Sequence, residues 1–435
     1  MRIKSIYIDN LLGINNQTIV FPEPSFNYFG DLKFSIIVGE NGTCKTSLLK
    51  FLAEVFMYPN IGGRHIQRYR NGFKIDYEIQ GEEQYIEVGQ ISFNNSRHGI
   101  STNYSNLVPS NIIVSTTALN GKFSSSSKEV NNIRYIYTGP LKSQRAAIVK
   151  ALRDNKLEKS IKKLIELVGY STEYRIVMPD GEILRRMITK NERKIDFFNE
   201  KELEDFLRIH TEISSLHKNS KRRRVISDNK IDEFWLETIE KIMEVGVNLD
   251  FQLEIRNLAY NEWIDFKDMS SGEQAMFDRF FSLLTLIKDN SLVLIDEPET
   301  HLHPSWIKQY VFILSELFSH VKAHIIIATH SPLIAADVPN ECIIGLVKCS
   351  ETGSIKQYEV NKSTLGGNPT NILNDVFRID NQAGSFANLI VERIKEHIRK
   401  GEVEKALDMF NDLGTTVNKY SLYNDLMELM PEEFK

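Results

Sequence analysis

Leu292, Val293, Leu294 and Ile295 run without a polar break into two carboxylates, Asp296 and Glu297. A half-exposed strand would alternate. A run this short, apolar and β-rich predicts a strand covered on both faces, as in a parallel sheet. The C-terminal ends of such strands border the crevice where parallel sheets hold ligands, so both carboxylates should face it. Upstream, Met269-Ser270-Ser271-Gly272-Glu273-Gln274 leads into residues 273–288, where Met276, Phe277, Phe280, Phe281, Leu284 and Ile287 share one helical face. Turn, amphipathic helix and carboxylate-tipped strand thus follow one another.

A second strand end is predicted near the N-terminus. Phe34 to Val38 form an apolar run that enters Gly39-Glu40-Asn41-Gly42-Thr43-Cys44-Lys45-Thr46. Residues 47–57 then show helical spacing in Leu48, Leu49, Leu52, Val55 and Phe56. Strand, glycine-bearing loop, Lys-Thr and helix are the context of a phosphate-binding P-loop. Backbone N–H groups of the loop and helix N-terminus converge on phosphates, where the macrodipole favours negative charge. Lys45 should reach the terminal phosphates as a point charge, and the Thr46 hydroxyl should ligate Mg²⁺. Gly39, Asn41, Gly42, Thr43, Cys44, Lys45, Thr46 and Ser47 are the candidates that hold ATP.

Cys44 stands where the pattern usually has glycine, so its Cβ crowds the loop if a glycine-only conformation is required. A thiol at a helix N-terminus beside Lys45 should have a lowered pKa. One reading makes it reactive, with alkylation blocking nucleotide binding; the other makes it a tolerated small residue.

With 435 residues the chain has room for a full core and an added subdomain. A net charge of −5 gives no bulk case for nucleic acid, so any such contact needs a local basic patch. No apolar run reaches the roughly 18 residues that cross a bilayer, and the alternating N-terminus does not read as a signal peptide. Cys44, Cys342 and Cys349 make neither a disulfide framework nor a metal spacing, which points to the cytoplasm.

Early strands are expected over 3–8 and 17–21, a hairpin-rich antiparallel sheet over 73–93, and a buried strand over 111–115. Ser124 to Ser127 read as a surface loop. Between about 141 and 245 helical spacing dominates, and Lys218, Lys221, Arg222, Arg223 and Arg224 crowd into seven residues. That run is either a phosphate-backbone contact or a solvated loop tip. One helix is expected from Pro304 to Phe318, then a strand over 324–329 ending at His330-Ser331, and closing strands over 341–346 and 354–360. Beyond Gly366-Gly367-Asn368-Pro369 comes a helical tail, with Phe386, Ile390, Ile394 and Ile398 on one stripe. His301 and His303 lack acidic or cysteine partners at metal-ligand spacing and read as structural or interface residues.

Taken in order, residues 39–46, 270–274, 295–298 and 329–331 resemble the motifs of ABC-type ATPases of the SMC/RecF/OLD-like superfamily. The run from Asp296 to Pro304 is similar to that of OLD-type nucleases and of ATPases in bacterial anti-phage systems of the Septu, retron-associated and PARIS kinds. The resemblance implies an α/β fold: a P-loop ATPase head of mixed sheet and helices with an antiparallel β subdomain, a helical insertion and a helical tail. The expected domains are 1–140 and 246–362 for the two halves of the head, 141–245 for the insertion and 363–435 for the tail. It also implies roles. Asp296 would hold Mg²⁺ through water, Glu297 would be the general base, and His330 would contact the γ-phosphate. Ser270, Gly272 and Glu273 would form the turn that caps the nucleotide of a second copy. No glutamine stands where such heads sense the γ-phosphate after the strand at 111–115.

Two functions follow from that resemblance. In one, an ATP-dependent dimer or larger homo-oligomer restrains or activates a separate toxic effector, such as an HNH or TOPRIM nuclease, in defence against phage. The last 70 residues look too few for a nuclease of its own. In the other, a DNA-repair or chromosome-maintenance ATPase clamps DNA directly. A transporter subunit has no place for so large an insertion.

Overall fold

In this computed structural model the described residues are 1–57, 72–87, 107–116, 128–130, 133–138, 158–191, 199–217, 220–245, 247–379, 384–414 and 417–429, with positions 123, 149 and 195. Residues 88–93, the serine run Ser124–127 and most of 139–157 lie outside them, as does Lys218. Two compact units are present, Met1–Ile372 and Leu373–Lys435.

The first unit opens with β1 (Arg2–Leu11), β2 (Ile14–Val20), β3 (Lys33–Gly39) and α1 (Lys45–Met57). It continues through β4 (Phe73–Ile79), β5 (Glu82–Glu87), β6 (Asn111–Thr116), β7 (Lys128–Val130) and β8 (Ile133–Thr138). The insertion holds α2 (Glu158–Leu167), β9 (Tyr170–Pro179), α3 (Gly181–Lys190), α4 (Glu200–Ile213), β10 (Ser215–His217), β11 (Ser220–Ser227) and α5 (Glu233–Glu244). Then come β12 (Gln252–Asn257), β13 (Trp263–Asp265), α6 (Ser271–Leu286), β14 (Ser291–Asp296), α7 (Pro304–Ile307), α8 (Tyr310–Phe318), β15 (His324–Thr329) and α9 (Pro332–Ala335). β16 (Ile343–Lys348) and β17 (Ile355–Tyr358) close the main sheet.

That sheet has eight strands in the order β17-β16-β3-β15-β14-β6-β8-β7. The six inner strands are parallel and each edge strand is antiparallel to its neighbour. Every residue of β6, β14 and β15 is buried, as unbroken apolar runs require in a sheet covered on both faces. A separate antiparallel sheet, β2-β1-β4-β5, lies across α1. Phe51 meets Phe73 and Phe56 meets Tyr77 edge to face, at 5.2 Å in both pairs. Each such buried aromatic contributes about 1.5–3 kcal/mol by area alone, so α1 is held firmly behind its loop. All six residues expected on the apolar face of α6 are buried, and Phe280 rests on Tyr310 of α8.

Several expectations need correction. The insertion is not purely helical: β9 is the middle of a five-stranded antiparallel sheet, β10-β11-β9-β12-β13. Its aromatic and β-branched residues Tyr170, Tyr174, Ile176 and Val177 are buried by pairing with β11 and β12, partners that local spacing does not reveal. The helix expected from Pro304 is interrupted at Lys308 and Gln309, where Gln309 N–H bonds the Trp306 carbonyl three residues back. The strand expected over 341–346 starts two residues later, after a 3₁₀ turn at Asn340–Cys342.

The second unit contains α11 (Ser385–Arg399), α12 (Val403–Asn411) and α13 (Val417–Leu429), and α10 (Pro369–Asp375) spans the boundary. Ile394, Val391, Ala406, Phe410, Leu422 and Leu426 make its core. Phe386, expected on the buried stripe, is instead exposed in the first turn of its helix. Among the described residues no helix is long and apolar enough to cross a membrane.

Candidate functional site

β3, β15 and β14 are adjacent and parallel, so the segments leaving their C-terminal ends lie side by side. β3 leads into the P-loop, β15 into His330, and β14 ends in Asp296 followed by Glu297. Sheet register thus gathers residues about 250 positions apart. The Thr46 hydroxyl donates to Asp296 Oδ1 at 2.9 Å. His330 Nε2 lies 3.2 Å from Glu297 Oε1. Lys45 Nζ curls onto the loop, donating to the carbonyls of Gly39 at 2.9 Å and Glu40 at 3.1 Å.

Burial governs the charges here. It lowers the Lys45 pKa, against the pull of Glu297, Asp296 and Glu299. It raises the Glu297 carboxyl to about 8, with the neighbouring Glu299 adding to the rise and Lys45 opposing it. The His330 imidazole is held below its usual value by burial and then by Lys45. A carboxyl poised near neutral pH suits proton abstraction better than one at its solution value. A hydroxyl and a carboxylate that meet at a buried strand end are hard oxygen donors and fit Mg²⁺.

The loop residues divide by position. Asn41 and Gly42 are exposed at its crest, whereas Thr43 and Ser47 are buried beneath it. Gly39 has no room for a side chain, since a Cβ there would sit 2.4 Å from the Leu346 carbonyl oxygen. Cys44 has φ +63°, the left-handed conformation that favours glycine. Its thiol turns to the β1–β2 connection, donating to the Leu12 carbonyl at 3.0 Å, and packs on the core around α1.

Glu299 received no role in the sequence reading, yet it ties two strand ends together. Its Oε1 accepts from the Thr329 hydroxyl at 2.8 Å and from the His330 amide at 2.7 Å. Its three-residue offset from Asp296 was the available signal. Glu297 itself has φ +51°, a strained backbone at the turn that aims its carboxyl.

A second cluster forms around the turn at 269–274. Ser270 caps α6 in a reciprocal box with Glu273: the Glu273 amide donates to Ser270 Oγ, and the Ser270 amide donates to Glu273 Oε2 at 2.8 Å. Gln274 Nε2 donates to the carbonyls of Lys267 and Met269 and pins the approach to the helix. Gly272 is buried against Trp306 and the His301 carbonyl, where an added Cβ would meet both at about 3 Å. Ser270 and Gly272 nonetheless line a surface pocket of about 530 Å³ together with residues 301–306. Arg279 was also missed. Almost fully buried, it donates to the carbonyls of Pro298 and of Thr300, the latter at 2.8 Å, so α6 is bonded to the loop that follows Glu297. Only its place one turn beyond Met276, beside the buried Phe280 and Phe281, could have flagged it.

His303 Nδ1 accepts from the Ser305 amide and caps α7. Lys221, Arg222, Arg223 and Arg224 of the basic run belong to β11 rather than to a loop tip, and Arg223 there is bonded to the Asp250 carboxylate at 2.8 Å. The side chain of Lys221 is outside what the structure describes.

The family described as "AAA domain, putative AbiEii toxin, Type IV TA system" matches residues 34–337, well over half of the chain. The chain is similar to protein ea59 of Escherichia phage lambda, 29% identical over 160 residues that make up 36% of this chain and 30% of that protein. It is similar also to the Septu protein PtuA of Bacillus thuringiensis, 25% identical over 145 residues, 33% of this chain and 36% of that one. The matched stretch thus spans about a third of these curated relatives. Among solved structures, the SMC head domain from Thermotoga maritima aligns over 83% of this chain and 100% of its own at 12% identity, with a TM-score of 0.39. An Smc head bound to the C-winged helix domain of ScpA covers 83% and 98% at 16% identity, with a TM-score of 0.36.

Proposed function

The chain belongs to this AbiEii-type AAA-domain family and is an ATPase, and we propose that two copies enclose Mg-ATP to control a separate toxic effector in anti-phage defence. One observation carries the site: Thr46, in the first turn of α1, shares a hydrogen bond with Asp296 at the end of β14, with Lys45, Glu297 and His330 around it. Lys45 exchanges its loop carbonyls for the terminal phosphate oxygens. Thr46 and Asp296 would hold Mg²⁺, which would supply charge neutralisation at the phosphates. Glu297 takes the proton of the attacking water as the bond to the γ-phosphorus forms and the bridging bond to ADP breaks. His330 contacts the γ-phosphate. This division follows the logic of phosphoryl transfer, where positioning and charge neutralisation supply most of the rate.

Support for assembly comes from Ser270 and Gly272, which line an open pocket on the surface. In this reading they cap the nucleotide of the neighbouring copy. The defence role draws on the family's description as a toxin of a toxin–antitoxin system and on the likeness to a Septu protein. A DNA-clamping ATPase is the alternative; it draws on β11, but one of its arginines, Arg223, is already committed to Asp250.

Glu297→Gln should keep ATP, slow phosphate release at least about a hundredfold, and leave a dimer visible by mass measurement in solution. Hydrolysis at the wild-type rate would remove Glu297 as the base. Purification with neighbouring gene products, followed by mass measurement, tests for the effector.

A further inference from the structure

We propose that Tyr170 is a positioning residue for Ser270, through which the inserted sheet sets the turn that caps the second copy's nucleotide. The inference rests on the capping reading given above. Both the amide and the hydroxyl of Ser270 donate to one carboxylate oxygen, Glu273 Oε2, at 2.8 and 2.7 Å. A glutamate held by a single oxygen on the first turn of a helix keeps a soft terminal torsion. Here the other oxygen, Oε1, accepts from the Tyr170 hydroxyl at 3.0 Å, which fixes the plane of the carboxylate and with it the rotamer of Ser270.

The tyrosine is itself held from two sides. It is the first residue of β9, is 1% exposed, and pairs with Asn257 of β12. Its ring meets Phe277 of α6 edge to face at 5.8 Å. Asn257 Oδ1 in turn accepts from the amides of Ala259 and Tyr260. Burial, reinforced by Glu273, pushes the phenol up to about 12, so it stays a donor at every working pH. The β12–β13 turn, where Leu258 and Tyr260 are exposed, is therefore connected to Ser270 through the strand pairing of Asn257 with Tyr170 and the hydrogen bonds that Tyr170 and Ser270 donate to Glu273.

Tyr170→Phe removes the hydroxyl and keeps the ring against Phe277. In the full chain, kcat for ATP hydrolysis should fall about tenfold, the loss expected when a hydrogen bond to a charged group is removed from the turn. Binding of a fluorescent ATP analogue should change less than about twofold, since the P-loop is untouched. Tyr170→Phe combined with Ser270→Ala should be no slower than Ser270→Ala alone. A fall in Tm with kcat unchanged would make Tyr170 merely structural and overturn the inference, as would losses that multiply in the double variant. If Ser270→Ala is slow and Tyr170→Phe runs at the wild-type rate, only this inference fails. If Ser270→Ala itself runs at the wild-type rate, the capping reading fails.

Discussion

The strand-end cluster and the turn at 269–274 are built by different means. Lys45, Thr46, Asp296, Glu297 and His330 all leave the ends of three neighbouring parallel strands, whose ladder cannot slip without exposing an apolar sheet. Ser270 and Gly272 instead depend on side-chain hydrogen bonds: locally from Gln274 to the carbonyls of Lys267 and Met269, from Arg279 of the same helix to the loop after Glu297, and from the distant Tyr170 to Glu273. Register holds the first rigidly. The second is held in part by the inserted sheet, through the Tyr170 hydroxyl.

The comparison breaks most visibly at Lys45. Lys45→Ala should weaken binding of a fluorescent ATP analogue about a hundredfold or more and abolish hydrolysis, while the ladder that builds the cluster keeps the melting temperature nearly unchanged. Binding within tenfold of wild type would mean that the strand-end cluster is not the phosphate site. An intermediate effect is expected at Arg279, where the two regions are bonded to each other. Arg279→Met leaves the Pro298 and Thr300 carbonyls without their buried donor, a loss of about 2–4 kcal/mol that a urea titration reads as a lower midpoint. Hydrolysis should slow too, although no group beside the nucleotide is altered. An unmoved midpoint would show that the turn does not depend on this bond. The smallest effect concerns the strained loop position. Cys44→Gly should stabilise the protein by up to about 1 kcal/mol by removing the left-handed penalty on a Cβ, and Cys44→Val should destabilise it. A lower melting temperature for the glycine variant would show that the thiol contact to Leu12 outweighs the strain.

Much of the fold is legible because its signals are local. The parallel strands announce themselves as unbroken apolar runs, and α1 and α6 as 3.6-residue stripes whose predicted faces are buried. The insertion was misread because Tyr170 to Pro179 has no partner nearby in sequence; β12, more than seventy residues later, makes it a central strand. Phe386 was misread because a stripe says which residues share a face, not how far neighbouring helices extend to cover it. At the candidate site the motif residues were visible one by one, whereas Glu299, Arg279 and Tyr170 act through contacts that no spacing encodes.

By itself, the amino-acid order determined the strand–loop–helix at the P-loop, the carboxylates at a buried strand end and the capped start of α6. Each is a pattern within about a dozen residues, set by backbone geometry and side-chain periodicity. Only the tertiary structure decided that β15 separates β3 from β14, so that Thr46 reaches Asp296, and that a tyrosine from the insertion reaches Glu273. Those meetings depend on which distant strands pair and in what register, a choice made by burying the whole apolar surface at once.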